Sequence, residues 1–349
     1  MQLLSVSELK DLFDNQKEAS ISGRWIRYKD IEPLIFKHEK INKVTRIGYS
    51  EQKRAIYSIK IGSGKKKILI WSQMHGNEST GTKAIFDLLN TFNNTNEVWV
   101  KNILKECTIH IIPMLNPDGA EVFTRVNSDK IDLNRDAVTK IAIESKILRN
   151  FLDNFQPDFC FNLHDQRTIF GVDGSDKPAT ISFLAPSEDF TRSVTGGRKK
   201  TMNVIIAMNN LLQQFIPQGI GRYTDEFYPN ATGDVFQKLG YSTILIEAGH
   251  YPNDYEREIT RKYMFFSILE GVHHIVANDT FTDYKAYFNI PNNIDNFYDV
   301  LHSFKNSNEK YAYQYEELII NNKLVFNLKE ITGEKIKNHI SHNEIVFES

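Results

Sequence analysis

Three side chains in the sequence carry metal-binding chemistry at places where a fold could bring them together: His75, Glu78 and His164. His75 and Glu78 belong to Trp71-Ser72-Gln73-Met74-His75-Gly76-Asn77-Glu78, just after the apolar run Ile68-Leu69-Ile70. His164 closes a second apolar run, Phe159-Cys160-Phe161-Asn162-Leu163. Two imidazoles and one carboxylate form a donor set of catalytic zinc, whose fourth position stays with solvent. Neither piece decides anything alone. Among ten histidines, a chance His-x-x-Glu is expected about once, and a histidine after a strand is more often capped or solvated than metal-bound. Their shared placement at strand exits is what carries weight. Glu247 ends a further run, Thr243-Ile244-Leu245-Ile246. A carboxylate there is costly to bury alone, so it partners a buried cation or, beside a metal, serves as general base and proton shuttle.

A charged loop supplies further candidates: Arg125, then Asp132-Leu133-Asn134-Arg135-Asp136. Such loops are ordinarily just solvated. The functional reading is anion recognition, with Arg135 and Asn134 forking a substrate carboxylate and Arg125 polarising a carbonyl as oxyanion partner. Asp132 would accept the second N–H of a ligand histidine.

The elements that must position these residues follow from periodicity. Short helices are expected over 7–15 and 31–40, and strands over 44–49 and 55–61, with Gly62-Ser63-Gly64-Lys65 as a turn. Strand 67–73 leads into helix 79–92, and strand 107–115 empties into Asn116-Pro117-Asp118-Gly119, a turn by composition. Helix 139–155, strand 159–163, strand 180–185, helix 197–215, strand 243–246 and helix 255–277 complete the series. Apolar strands alternating with helices indicate an α/β fold: a mixed, mainly parallel twisted sheet with helices on both faces. Ligands of such sheets sit past the carboxyl ends of the strands. The expected organisation is a catalytic unit over residues 1–279, its first 45 residues a lead-in, and a small α+β appendage over 280–349.

Composition narrows the partners. The chain has 349 residues, 41% hydrophobic and 25% charged, with formal net charge −2, so no basic field draws nucleic acid or an anionic membrane. Met1 to Lys10 lacks the pattern of a signal peptide, and no apolar run reaches membrane-spanning length. Two cysteines, Cys107 and Cys160, give no disulfide framework and suit a reducing compartment. Cytoplasmic placement is the expectation.

With these residues assembled, the chain resembles the zinc carboxypeptidases, the carboxypeptidase A-like metallopeptidases. The resemblance rests on His75-Gly76-Asn77-Glu78, Asn116-Pro117-Asp118-Gly119, Arg125, Asp132-Leu133-Asn134-Arg135, Asn162-Leu163-His164 and Ile246-Glu247, and runs from roughly Gly48 to Ala277. It implies one zinc per chain held by His75, Glu78 and His164. It implies further that Glu247 is the base, Arg125 the electrophilic residue, and Asn134 and Arg135 the carboxylate clamp. Tyr228 looks like the mobile tyrosine that caps substrate in the family, with Tyr223 as competitor. Asn77 stands where the digestive enzymes carry arginine, which is closer to bacterial peptidoglycan-peptide amidases and the aspartoacylase group. The motif style is that of bacterial intracellular members.

The expected activity is therefore zinc-dependent hydrolysis of an amide bond next to a free C-terminal carboxylate. One alternative is a deacylase or amidase acting on N-acyl amino acids or peptidoglycan-derived peptides. A second is a binding protein that keeps the fold without the chemistry.

Overall fold

Alternate residues of the apolar runs face opposite ways, and both ways are buried. Ile68 and Ile70 enter one hydrophobic layer, Leu69 and Trp71 the other, the mark of strands covered on both faces. In the computed structural model, which describes residues 5–307, 309–331 and 340–348, these runs form the middle of an eight-stranded sheet. Met1–Leu4, part of the N-terminal stretch read above, lie outside the described residues.

The strands of that sheet are β1 (Lys43–Tyr49), β2 (Ala55–Gly62), β3 (Lys66–Trp71), β4 (Cys107–Ile112), β5 (Phe159–Asp165), β7 (Ile181–Leu184), β8 (Ile220–Arg222) and β9 (Ser242–Ala248). Their order is β1-β2-β4-β3-β5-β9-β7-β8. The central four, β4-β3-β5-β9, are parallel, and β2 and β7 flank them antiparallel. A short β6 (Phe170–Val172) lies outside this sheet and pairs with β10 (Asn293–Asp295).

Helices α1 (Val6–Gln16), α2 (Tyr28–Glu39), α3 (Thr80–Asn94), α4 (Val98–Glu106), α7 (Gly196–Leu212) and α9 (Glu258–Ala277) cover one face. On the other lie α6 (Ile143–Phe155) and α8 (Thr232–Lys238), with the one-turn α5 (Pro117–Glu121) past the end of β4. The two cysteines are free and belong to opposite layers.

Two local expectations change. Asn116-Pro117-Asp118-Gly119 is not a plain turn but the start of α5, because Asn116 Oδ1 accepts from Gly119 N at 2.8 Å and proline occupies the first turn, where its missing N–H costs nothing. Helix α4 was not expected. It passes straight into β4 with Cys107 as its C-cap, so no turn residue announces it.

After η2 (the 3-10 turn Lys285–Asn289), the tail continues as strands among the described residues. The helical share of the expected α+β tail is that single turn. β11 (Phe297–Phe304), β12 (Lys310–Ile320), β13 (Lys323–Glu330) and β14 (Ile340–Phe347) form a second sheet, ordered β13-β12-β11-β14. Asn321 and Asn322, both at positive φ (49° and 59°), join β12 to β13 as a two-residue hairpin loop of the kind asparagine favours. This sheet leans on the first through a Glu317–Arg24 ion pair at 2.8 Å and through Tyr255, whose hydroxyl donates to Asp299 at 3.0 Å.

Candidate active site

The strand order makes the site. β3 and β5 are neighbours whose connections leave in opposite directions across the sheet, which opens a crevice at their carboxyl ends. The turn after β3 carries His75 and Glu78. It is shaped by Gln73, at φ +47°, whose amide donates to the carbonyls of Ile26 and Gly76 and accepts from Thr82. His164 lies near the end of β5. Glu247 is its register partner on β9. All four residues meet at one place.

His75, Glu78 and His164 are buried, and one donor atom from each lies within 4.8 Å of the others. Glu78 Oε1 sits 2.8 Å from His75 Nδ1, and Oε2 sits 2.9 Å from His164 Nδ1. The two Nδ1 atoms face each other at 3.2 Å. His75 Nε2 lies 3.1 Å from Asp132 Oδ1. This carboxylate orients the ring and directs the Nδ1 lone pair of a neutral imidazole inward. The donor chemistry therefore fits a divalent ion such as zinc: two imidazole nitrogens and one carboxylate oxygen, all convergent and shielded from bulk water.

The electrostatics agree. Burial alone would raise the Glu78 carboxyl, but the His75 and His164 imidazoles hold it well below the usual range. Burial lowers His164. On His75 the same burial is outweighed by Glu78 and Asp132, which raise it. Glu247 goes the other way: burial first, and then the charge of Glu78, push it up to about 8. Two carboxyls thus stand close together with their proton affinities pushed apart, Glu78 downward and Glu247 upward.

The site opens into a cleft of about 700 Å³. Arg125 reaches in from the loop after α5, with Nη1 3.2 Å from Glu78 Oε1 and Nε 3.0 Å from Asp132 Oδ2. Asn134 and Arg135 line the same cleft. Asn134 Oδ1 accepts from Thr232 N at 3.1 Å, which ties this loop to α8 and leaves the amide nitrogen, the donor a carboxylate needs. The Arg135 guanidinium lies 5.4 Å from the centre of the Tyr228 ring.

Tyr228 is on the cleft wall but 40% exposed, its hydroxyl donating to Glu226 at 3.0 Å. Tyr223 also lines the cleft. Burial, then the charges of Glu247 and Glu78, push it up to about 12. His250 is buried against His342 and Tyr255, with ring centroids at 4.0 and 4.7 Å. It is not part of the His75, Glu78 and His164 group.

Comparison with known proteins now bears on this arrangement. Residues 28–179 match the family model described as zinc carboxypeptidase. This part of the chain is similar to the zinc carboxypeptidases. The chain is 26% identical over 144 residues to carboxypeptidase 2 of Trichophyton tonsurans, a match covering 41% of this chain and 26% of that protein. To the human carboxypeptidase N catalytic chain it is 28% identical over 144 residues, covering 34% and 31%. The matches thus span about a quarter to a third of the length of these relatives. Two solved carboxypeptidases share the fold. The metallo-carboxypeptidase of Burkholderia cenocepacia gives a TM-score of 0.57 at 17% identity, covering 72% of this chain and 69% of that one. Carboxypeptidase A of Helicoverpa armigera gives 0.56 at 14%, covering 79% and 82%.

Sequence reasoning missed one end of the cleft. Asp165 follows His164, and its Oδ2 accepts from Thr80 at 2.8 Å. Arg24 and Arg257, both nearly fully buried, flank it at 4.0 and 3.7 Å. Asp299, Tyr315 and Glu317 of the second sheet line the same end. Asp165 was open to suspicion by adjacency to a ligand; the others carry no local signal.

Proposed function

We propose that this protein is a zinc-dependent metallocarboxypeptidase, hydrolysing the amide bond next to a free C-terminal carboxylate. The observation that carries the reading is the lateral pairing of His164 with Glu247 on adjacent parallel strands, with the His75–Glu78 turn leaving the next strand over. Independent surface residues would have no reason to converge in this way.

Zinc, held by His75, Glu78 and His164, would supply Lewis acidity at the scissile carbonyl and toward the attacking water. Asn134 and Arg135 hold the substrate carboxylate by charge-assisted hydrogen bonds and so fix which bond faces Glu247. Glu247 takes a proton from the attacking water and returns it to the leaving amine. A carboxylate placed beside the metal centre, across from His164, can serve both transfers. Arg125 swings its guanidinium toward the carbonyl oxygen as negative charge develops there. The second sheet closes one side of the cleft, so residues 280–349 are proposed as part of the substrate-binding unit.

The test is direct. Purified protein should hold about one zinc per chain by elemental analysis and release single residues from peptides with a free C-terminus, whereas C-terminally amidated copies should resist. Glu247→Gln should keep the metal and lose roughly a hundredfold or more in kcat. Unchanged hydrolysis by that variant would remove the mechanism.

A further inference from the structure

The cleft has two ends. At one lie Asn134, Arg135, Tyr228 and Asp234, with the Arg135 guanidinium against the Tyr228 ring and Tyr228 N donating to Asp234 at 3.3 Å. At the other, the chain leaves β5 as Asp165-Gln166-Arg167-Thr168 and meets the second sheet. His164 and Glu247 lie between them. On the carboxypeptidase reading, a substrate held by its terminal carboxylate at Arg135 extends its acyl side along this second end.

The acids there are already engaged. Asp299 is fully buried and accepts from Thr168 Oγ1 (3.1 Å), Tyr255 Oη (3.0 Å), Gln314 Nε2 (2.8 Å) and Tyr315 N (2.8 Å). Glu317 faces Arg24 at 2.8 Å, and Asp165 has Thr80, Arg24 and Arg257. Arg257 in turn donates to the carbonyls of Ala248 and Gln166. Arg167 differs from all of these. It lines the cleft and is exposed, and its guanidinium has no hydrogen bond or ion pair to any described residue.

Its backbone, by contrast, is pinned on both sides. Gln166 Nε2 donates to Ala179 O at 2.7 Å and its Oε1 accepts from Asn293 at 2.8 Å. Thr168 donates to Asp299, and its carbonyl accepts from His342 Nε2 at 2.8 Å. A guanidinium with unspent donors is thus presented from a rigid support, three residues past a metal ligand.

We infer that Arg167 is a specificity residue that binds a side-chain carboxylate on the substrate residue preceding the scissile bond. The fork of a guanidinium suits a carboxylate, and no acid among the described residues pairs with it. The inference rests on the hydrolase reading only for the direction in which substrate lies. The enzyme would prefer peptides with glutamate at the penultimate position over the same peptides with glutamine.

The experiment uses the zinc-loaded full chain and two fluorescent peptides with free C-termini, identical except for glutamate or glutamine before the last residue. The kcat/KM ratio should favour glutamate roughly tenfold, the scale of a hydrogen bond to a charged group, and shrink at high salt. Arg167→Gln should bring the ratio to about one. Arg167→Lys should retain part of it, since charge without the fork remains. Binding of both peptides to Glu247→Gln protein, with and without the Arg167 change, reads the same preference without turnover. A ratio near one in the wild-type chain, or one that survives Arg167→Gln in both assays, overturns the inference. An Arg167-dependent binding preference without any hydrolysis would uphold it while removing the peptidase reading.

Discussion

At the scale of single residues, Asp132 has the most consequential position outside the three proposed ligands. One of its oxygens orients His75 and the other receives Arg125. Burial works against its ionisation, yet His75 and Arg125 hold the carboxyl well below its ordinary value. It is therefore a fixed negative charge throughout the working pH range. That charge favours His75 in the orientation that presents Nδ1 to a cation and makes the ring a better donor. Asp132→Asn keeps the shape but removes the charge, and the amide can present an N–H where an acceptor is needed. The expected result is a 10- to 100-fold loss of zinc affinity, measured by competition with a chromophoric chelator. The fold should be little changed, because Asp132 is only partly buried. Undiminished affinity would mean that His75 is oriented by its packing alone.

At the scale of elements, the ligand turn is held by close backbone approach. A Cβ placed on Gly76 would lie 2.0 Å from Gly119 C and 2.2 Å from Ala120 N, so the turn after β3 and helix α5 touch where only glycine fits. Gly76→Ala must push the two elements apart, at a cost of about 1–3 kcal/mol. The shift moves His75 and Glu78 relative to His164, which β5 holds independently. Both thermal stability and zinc affinity should fall, while Gly196→Ala, where a Cβ meets nothing within 4 Å, should change neither. The same division explains what was legible beforehand. The convergence of His75, Glu78 and His164 was legible because these residues and Glu247 lie at or just past the ends of apolar runs, a signal contained in a few adjacent residues, and the parallel core followed from those runs. The Arg24–Glu317 pair spans 293 positions and joins two sheets, so no periodicity foretells it. Helix α4 was hidden by its seamless passage into β4. Motif context alone favours Tyr228 over Tyr223, and both line the cleft; side-chain direction is not encoded in spacing.

At the scale of the whole molecule, the interior contains histidines that folding keeps neutral, and this sets the response to acid. His38 on α2 is 1% exposed and stacks on Phe86 of α3 with ring centroids 6.0 Å apart. Its Nδ1 lies 2.9 Å from the Asn93 amide nitrogen, so this ring atom acts as acceptor, and a second ring proton would face a donor. Burial, reinforced by the nearby Lys37 charge, lowers its pKa to about 4. In the unfolded chain the ring titrates at about 6.5. Between those values the unfolded state binds a proton that the folded state refuses, so stability falls as pH drops, by about 1.4 kcal/mol per pH unit for this one group. The loss begins near pH 6.5 and is complete below about pH 4. Glu247 has the opposite sign. Its raised value lets the folded chain, free of metal, hold a proton from about pH 8 downward, which favours folding as pH falls toward the ordinary carboxylate range. The total pH profile mixes the two, but the difference between parent and His38→Gln isolates the histidine. Urea unfolding at intervals from pH 7 to 4, with chelator present so that metal release contributes nothing, should give a variant whose stability falls less steeply, the two curves converging or crossing toward acid. Parallel curves across that interval would show that His38 takes up its proton in the folded chain as readily as in the unfolded one and that the α2–α3 interface tolerates the charge.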